Sequence, residues 1–171
     1  GLEALINIAD LDKHAITEET IGFQIAPRLN ALGRLDDPNP AIDLLTGWDE
    51  DETQQIAEMI DAKNQERKAL VAEMLLASEK QLDDSPVQFI YQTGWHPGIL
   101  GIVAGQLVQK TGRPIVMLSE EDGVLKGSAR SIPAFNMFDA LSPHRDLFIS
   151  FGGHAQAAGI TFNLEQLPEI K

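Results

Sequence analysis

Four short segments hold most of the side chains able to do chemistry. Phe151-Gly152-Gly153-His154-Ala155-Gln156-Ala157-Ala158-Gly159 joins two glycines to a histidine. Glycines let the backbone approach a ligand closely, and free N–H groups beside an imidazole can cradle a phosphate or carboxylate. A plain Gly-Gly turn with a surface histidine is the alternative. Lys126-Gly127-Ser128-Ala129-Arg130-Ser131 combines two hydroxyls with two cations. The arginine offers a fork of donors suited to phosphate or carboxylate oxygens. In a strand Ser128 and Arg130 share one face, and Ala129 and Ser131 the other. An edge strand with incidental polarity would read the same. The segment from Gly94 to Gly105 puts His96 and Pro97-Gly98 where a strand should give way to a helix. Free N–H groups at a helix start suit an anion, which His96 could help to hold. A tight turn capped by the histidine is the competing reading, and Gly101 and Gly105, four apart, allow close packing. Finally, Pro27-Arg28-Leu29-Asn30-Ala31-Leu32-Gly33-Arg34 places two arginines six apart around an asparagine. Read as a loop, it can clamp a phosphate chain or pair internally with Asp36, Asp37 or Asp43.

Other chemistries are excluded or weak. The 171 residues contain no cysteine, which removes disulfides, thiolate nucleophiles, Cys-type zinc sites and iron–sulfur clusters. Asp10, Asp12 and His14 fall at an apparent helix end and read as capping. His144 follows Pro143 in a loop, and no carboxylate has a reason to orient His96 or His154 into a triad. No metal-ligand spacing emerges. No apolar run nears the roughly 20 residues of a membrane span, and the N-terminus lacks a signal pattern. An intracellular, cytoplasmic protein with no membrane partner is expected. With 26 acidic against 13 basic residues the net charge is -13, which argues against holding nucleic acid by bulk charge. The excess is uneven, however. Residues 85–171 carry 7 acids and 6 bases, while 49–84 carry 11 and 4. Screening over about 8 Å lets a local basic site work on an acidic chain.

The elements that must position these residues follow from pattern. Leu2, Leu5 and Ile6 mark a first helix, and Thr17 caps a short helix running to Ile25 that Pro27 should interrupt. Asp36-Asp37-Pro38-Asn39-Pro40 leads into a helix over 41–46. From Asp49 to Leu82 there is neither Gly nor Pro. The apolar residues Ile56, Met59 and Ile60, then Leu70, Met74 and Leu75, flank a polar Lys63–Lys68. We read one long helix, docked at both ends and solvated in the middle, as a strut. Beyond Pro86 the period changes: strand 87–91, helix 99–110, strand 114–118, turn 120–123, strand 124–131, helix 135–141, strand 147–150, a helical turn at 154–158 and strand 159–162. The fold class is α/β, a long N-terminal connector helix followed by a small mixed-sheet domain. The expected segments are 1–48, 49–84 and 85–171.

Taken in order, FQIAPRLNALGRLDDPNPAIDLL, GWHPGILGIVAG, KGSARSIPAFNMFDAL and FGGHAQAAGITF resemble the later part of the RecJ family. These are single-stranded-DNA-specific exonucleases of the DHH phosphoesterase superfamily. The resemblance runs from about Gly1 to Phe162; GGH is common to DHHA1 domains, and the first two segments are more specific. It implies that 1–48 is the helical end of a catalytic core, 49–84 an inter-lobe connector and 85–171 a DHHA1-like substrate-binding domain. It also implies 5′-to-3′ hydrolysis of single-stranded DNA in repair and recombination, with Mn²⁺ or Mg²⁺ in an N-terminal DHH lobe. No Asp-His-His motif occurs here, so the chain is expected to be a fragment, inactive alone, whose partners are single-stranded DNA and that lobe. By this resemblance Ser128, Arg130, Ser131, Gly152, Gly153 and His154 hold phosphates and His96 approaches the same cleft. Arg28, Asn30 and Arg34 line the metal side, and Trp95 stacks on a base or sits in the core. An oligoribonuclease, a phosphodiesterase for cyclic-dinucleotide products, or a non-catalytic module using the acidic helix are the alternatives.

Overall fold

The computed structural model describes residues 1–171, which divide into two units, 1–70 and 71–171. In the first unit α1 (Leu2–Ile8), α2 (Glu18–Thr20), α3 (Ala26–Leu35), α4 (Asn39–Thr46) and the first five turns of α5 (Glu50–Glu79) gather around Leu5, Ile6, Ile25, Leu32, Leu44, Ala57 and Ile60. Thr17 caps α2 by a reciprocal bond with Thr20. Pro27 does not break the chain, contrary to expectation. A π-helical turn, Ile21–Ile25, runs straight into α3, with the Ala26 N–H bonded to the Ile21 carbonyl. The wider turn moves the carbonyls that a proline ring would strike, and Pro27 then sits in the first turn of α3, where a missing N–H costs little. The segment Pro27–Arg34 is therefore helix, not loop. Asp37 Oδ1 accepts from the Asn39 N–H at the start of α4, as a turn-and-cap signal requires.

Helix α5 is a single helix of 30 residues, with Glu50, Asp51 and Glu52 at its positive end. Its middle is not solvated all round, which corrects the sequence reading. Asn64 is 1% exposed, and its Oδ1 accepts from Arg67 Nη2 at 2.9 Å. Arg67 Nε is buried with no partner, so burial first and the charge of Arg34 second hold this guanidinium below its usual range. The last turns belong to the second unit: Val71, Met74 and Ser78 are buried, and Glu79 pairs with Lys110 at 2.6 Å.

In the second unit β1 (Gln88–Thr93), β2 (Ile115–Glu121), β3 (Val124–Arg130), β4 (Ser150–His154) and β5 (Ala157–Asn163) form one mixed sheet, ordered β1-β2-β3-β5-β4. Strands β1 and β2 are parallel, joined by α6 (Pro97–Thr111), and the other pairs are antiparallel. Gly112 ends α6 in the left-handed conformation, φ +66°. Positive φ at Asp122 and Gly123 gives the tight β2–β3 turn. On one sheet face Val116, Leu118, Leu125, Ala129, Ala158, Ile160 and Phe162 meet α7 (Met137–Leu141) and α8 (Leu167–Ile170). Two local expectations are corrected. Residues Ser142–Leu147 form a 3₁₀ turn and the strand begins only at Ser150, and 154–158 is a hairpin turn rather than a helical one.

Candidate functional site

The register of β3, β5 and β4 decides what stands beside what. Ser128 faces Gly159, which faces Gly152; Arg130 faces Ala157, which faces His154; Lys126 faces Thr161, which faces Ser150. Side chains two apart share a face, so these three rows lie on the side opposite Leu125, Ala129, Ala158, Ile160 and Phe162. Apart from the small Ala157, they are polar or glycine. At about 3.3 Å per residue the outer rows are about 13 Å apart. Gly152, His154 and Gly159 are exposed, and Ser128 and Arg130 are half-buried.

Helix α6 packs against β2 and β3, with Gly101 set against Ser128 and Arg130 of this face. Beside it lies a recess of about 380 Å³, bordered among others by Pro97, Leu100, Lys126, Gly152, Gly159 and Thr161. Side chains added at Gly152 and Gly159 would meet nothing within 4 Å, so the floor there is open backbone. Gly153 is different. Its φ is +156°, and a Cβ would press on Ala157 and Ala158 of β5. That glycine is required by the hairpin itself, in which the Gln156 N–H donates to His154 Nδ1 at 3.2 Å. Arg130 Nη1 donates to Ser128 Oγ at 2.9 Å and to the Ala129 carbonyl at 2.8 Å, which fixes the guanidinium along the wall of α6.

Of the residues singled out from sequence, Ser128 and Arg130 on β3 and Gly152 and His154 on β4 thus stand in common rows across β5, with Gly153 in the same hairpin. Ser131 does not join them. It is 9% exposed, its hydroxyl donates to the Phe135 carbonyl at 2.6 Å, and its N–H donates to the Gln156 carbonyl. Its polarity is used within the turn that follows β3. His96 caps α6 by accepting from the Gly98 N–H at 3.2 Å. It lines a separate recess with Glu120, Glu121 and Asp122. The Glu120 carboxyl accepts from Thr93 Oγ1 at 2.6 Å and from the Gly123 N–H at 2.9 Å, which holds it below the usual carboxylate range. Three carboxylates make that recess a poor host for an anion. Trp95 is 8% exposed and its carbonyl accepts from Ser119 Oγ, so it is a core residue rather than a stacking platform.

In the first unit Arg28 is committed internally. Its Nε donates to Asp61 Oδ1 at 2.8 Å and its Nη1 to the Gln24 carbonyl at 2.7 Å. The partner is on α5, not among Asp36, Asp37 and Asp43, because Arg28 occupies a helix face turned to α5 instead of a loop. Asn30 and Arg34 are exposed and line a recess of about 520 Å³ with Gly33, Pro38 and Ile42. Sequence reasoning missed Ser150, Gly159 and Thr161. For Gly159 and Thr161 the signal is alternation in Ala157–Asn163, where Ala158, Ile160 and Phe162 point inward; Ser150, on β4, has none. No group of three or more His, Asp or Glu side chains is placed to hold a metal ion.

Residues 84–171 match the DHHA1 domain family, and the chain belongs to that family. Over its whole length it is 42% identical to the single-stranded-DNA-specific exonuclease RecJ of Bacillus subtilis, of which it spans 22%. The crystal structure of RecJ from Thermus thermophilus in complex with Mg²⁺ superposes with a TM-score of 0.89 at 29% identity, over 99% of this chain and 26% of that one. The Mn²⁺ complex from the same organism gives the same score over 25% of its chain. The chain therefore spans about a quarter or less of these relatives.

Proposed function

We propose that this DHHA1 chain supplies the strand-receiving surface of a RecJ-like exonuclease that hydrolyses single-stranded DNA from the 5′ end. The observation carrying the reading is the set of aligned rows on β3, β5 and β4, where Arg130, Ser128 and His154 border an open backbone floor. The whole-length identity to an enzyme named for that activity supports it. On this reading Arg130 gives charge-assisted bonds to phosphate oxygens, Ser128 and His154 add donors, and Lys126 extends the cationic border. Gly152 and Gly159 let the sugar–phosphate chain lie close to the sheet, and Gly153 lets the hairpin that carries His154 form. Such contacts address the backbone and not base edges, which suits an enzyme that must accept any sequence. Positioning and charge neutralisation, rather than proton transfer, are the tasks of these groups.

The solved relatives hold Mg²⁺ or Mn²⁺, and the donors of this chain do not make a site for either. We therefore assign metal binding and bond cleavage to an N-terminal DHH lobe of the parent protein, with Asn30 and Arg34 neutralising charge on that side. Arg28 serves instead to tie α3 to α5 through Asp61. The chain alone binds DNA weakly and does not cut it, and the parent acts in cytoplasmic DNA repair and recombination.

Anisotropy titrations with labelled oligothymidylates of increasing length, with and without Mn²⁺, test this. Affinity should rise with length until the rows are covered and fall with salt. Preference for a dinucleotide with no gain from length would favour a short-oligonucleotide phosphodiesterase instead. Chelator-sensitive release of nucleotides by the isolated chain would refute the assignment of cleavage to another lobe.

A further inference from the structure

Helix α6 carries two glycines, Gly101 and Gly105, whose surroundings differ. A Cβ built on Gly105 meets nothing within 4 Å. A Cβ built on Gly101 falls 2.5 Å from Arg130 Nη2, 2.9 Å from Ser128 Oγ and 3.2 Å from Arg130 Cζ. Close approach of one backbone to another therefore does not explain Gly101, because the atoms nearest its Cβ position are side-chain atoms of β3. What occupies the space is the guanidinium of Arg130 and the hydroxyl that accepts from it at 2.9 Å.

We infer that Gly101 is a positioning residue: the notch it leaves in α6 seats the Arg130 guanidinium and Ser128 hydroxyl in the orientation that receives a phosphate. This rests on the proposed strand-binding role of Arg130. An arginine side chain has many rotamers, and ordering it before binding spares the entropy of ordering it at binding. The Ser128 hydroxyl, the Ala129 carbonyl and the wall of α6 help to fix it here. A methyl at position 101 removes the wall's recess. The atoms it strikes are ends of flexible side chains, so they swing away and the fold survives. Alanine's higher helix propensity offsets any residual crowding.

The test is a cycle of Gly101→Ala, Arg130→Ala and the double variant, with Gly105→Ala as control. Thermal melting is read alongside oligothymidylate affinity over a range of salt. Gly101→Ala should keep the melting temperature and lose affinity by about tenfold, the size expected for a lost charge-assisted hydrogen bond. Arg130→Ala should lose about as much, and adding Gly101→Ala to it should change affinity by less than about twofold. Gly105→Ala should bind as the parent chain does. If Arg130→Ala binds normally, the strand-binding reading fails and takes this inference with it. If Arg130→Ala weakens binding while Gly101→Ala does not, the notch has no positioning role. Equal losses from Gly101→Ala in both backgrounds would mean that it acts by another route. A cooperative melt lost in Gly101→Ala and restored in the double variant would make the notch structural, and would also overturn the inference.

Discussion

The two faces of the β3–β5–β4 surface are built from the same strands and differ only in which alternate residues they show. Leu125, Ala129, Ala158, Ile160 and Phe162 meet α7 and α8 and are buried. Lys126, Ser128, Arg130, Gly152, His154, Gly159 and Thr161 lie on the opposite face and stay at least partly open. One face spends its side chains on burial, where every atom removed leaves a void. The other keeps small residues and donors, where little packing is lost on substitution. Stability and binding should therefore be separable residue by residue along a single strand.

The largest expected effect is on the apolar face. Phe162 is fully buried and meets Phe148 edge-on with ring centroids 5.8 Å apart. Phe162→Ala should cost about 3–5 kcal/mol and lower the melting temperature steeply, read by calorimetry. If the chain tolerates it, the division into a supporting and a receiving face is wrong. On the other face Arg130→Ala should leave the melting temperature nearly unchanged. It should reduce the slope of log affinity against log salt by about one, the mark of one lost phosphate contact. Destabilisation comparable to that of Phe162→Ala would erase the distinction.

The comparison was partly legible in sequence. Alternation in Val124–Arg130 put Ser128 and Arg130 together, and strand-to-turn glycines flagged Gly152 and Gly153. The hairpin was missed because Ala155-Gln156-Ala157-Ala158 has strong helix propensity, which pairing with β3 overrides. Without that hairpin, the partnership of His154 with Arg130 through Ala157 could not be read. Ser131 was misjudged because its hydroxyl turns back to Phe135, a contact no local pattern announces. Pro27 misled for a related reason: a π-helical turn has no sequence code as plain as a proline's. Asn64 and Arg67 looked solvated because both are polar, yet each buries part of itself against its own unit. The order of elements, being set by hydrophobic period and by Gly and Pro, came through well.

A smaller effect separates the binding face from the acidic recess beside His96. The Glu120 carboxyl is held below its ordinary 4.5 by the Thr93 hydroxyl and the Gly123 N–H. A lowered carboxylate pKa stabilises the fold at pH above the ordinary value, and that contribution fades as pH falls through the lowered one. Glu120→Gln should therefore melt slightly below the parent chain at neutral pH, with the gap closing below about pH 4. The salt slope of DNA binding should not change. A gap that persists in acid would mean that the carboxylate's charge is not what the two donors stabilise.

The most direct test of the account is a nuclear magnetic resonance titration of the isotope-labelled chain with oligothymidylate, followed by amide shifts. The account predicts shifts concentrated at Ser128, Arg130, Gly152, Gly153, His154, Gly159 and Thr161, with α7 and α8 silent. Shifts centred on α7 and α8, or on the recess at His96 and Glu120, would contradict it.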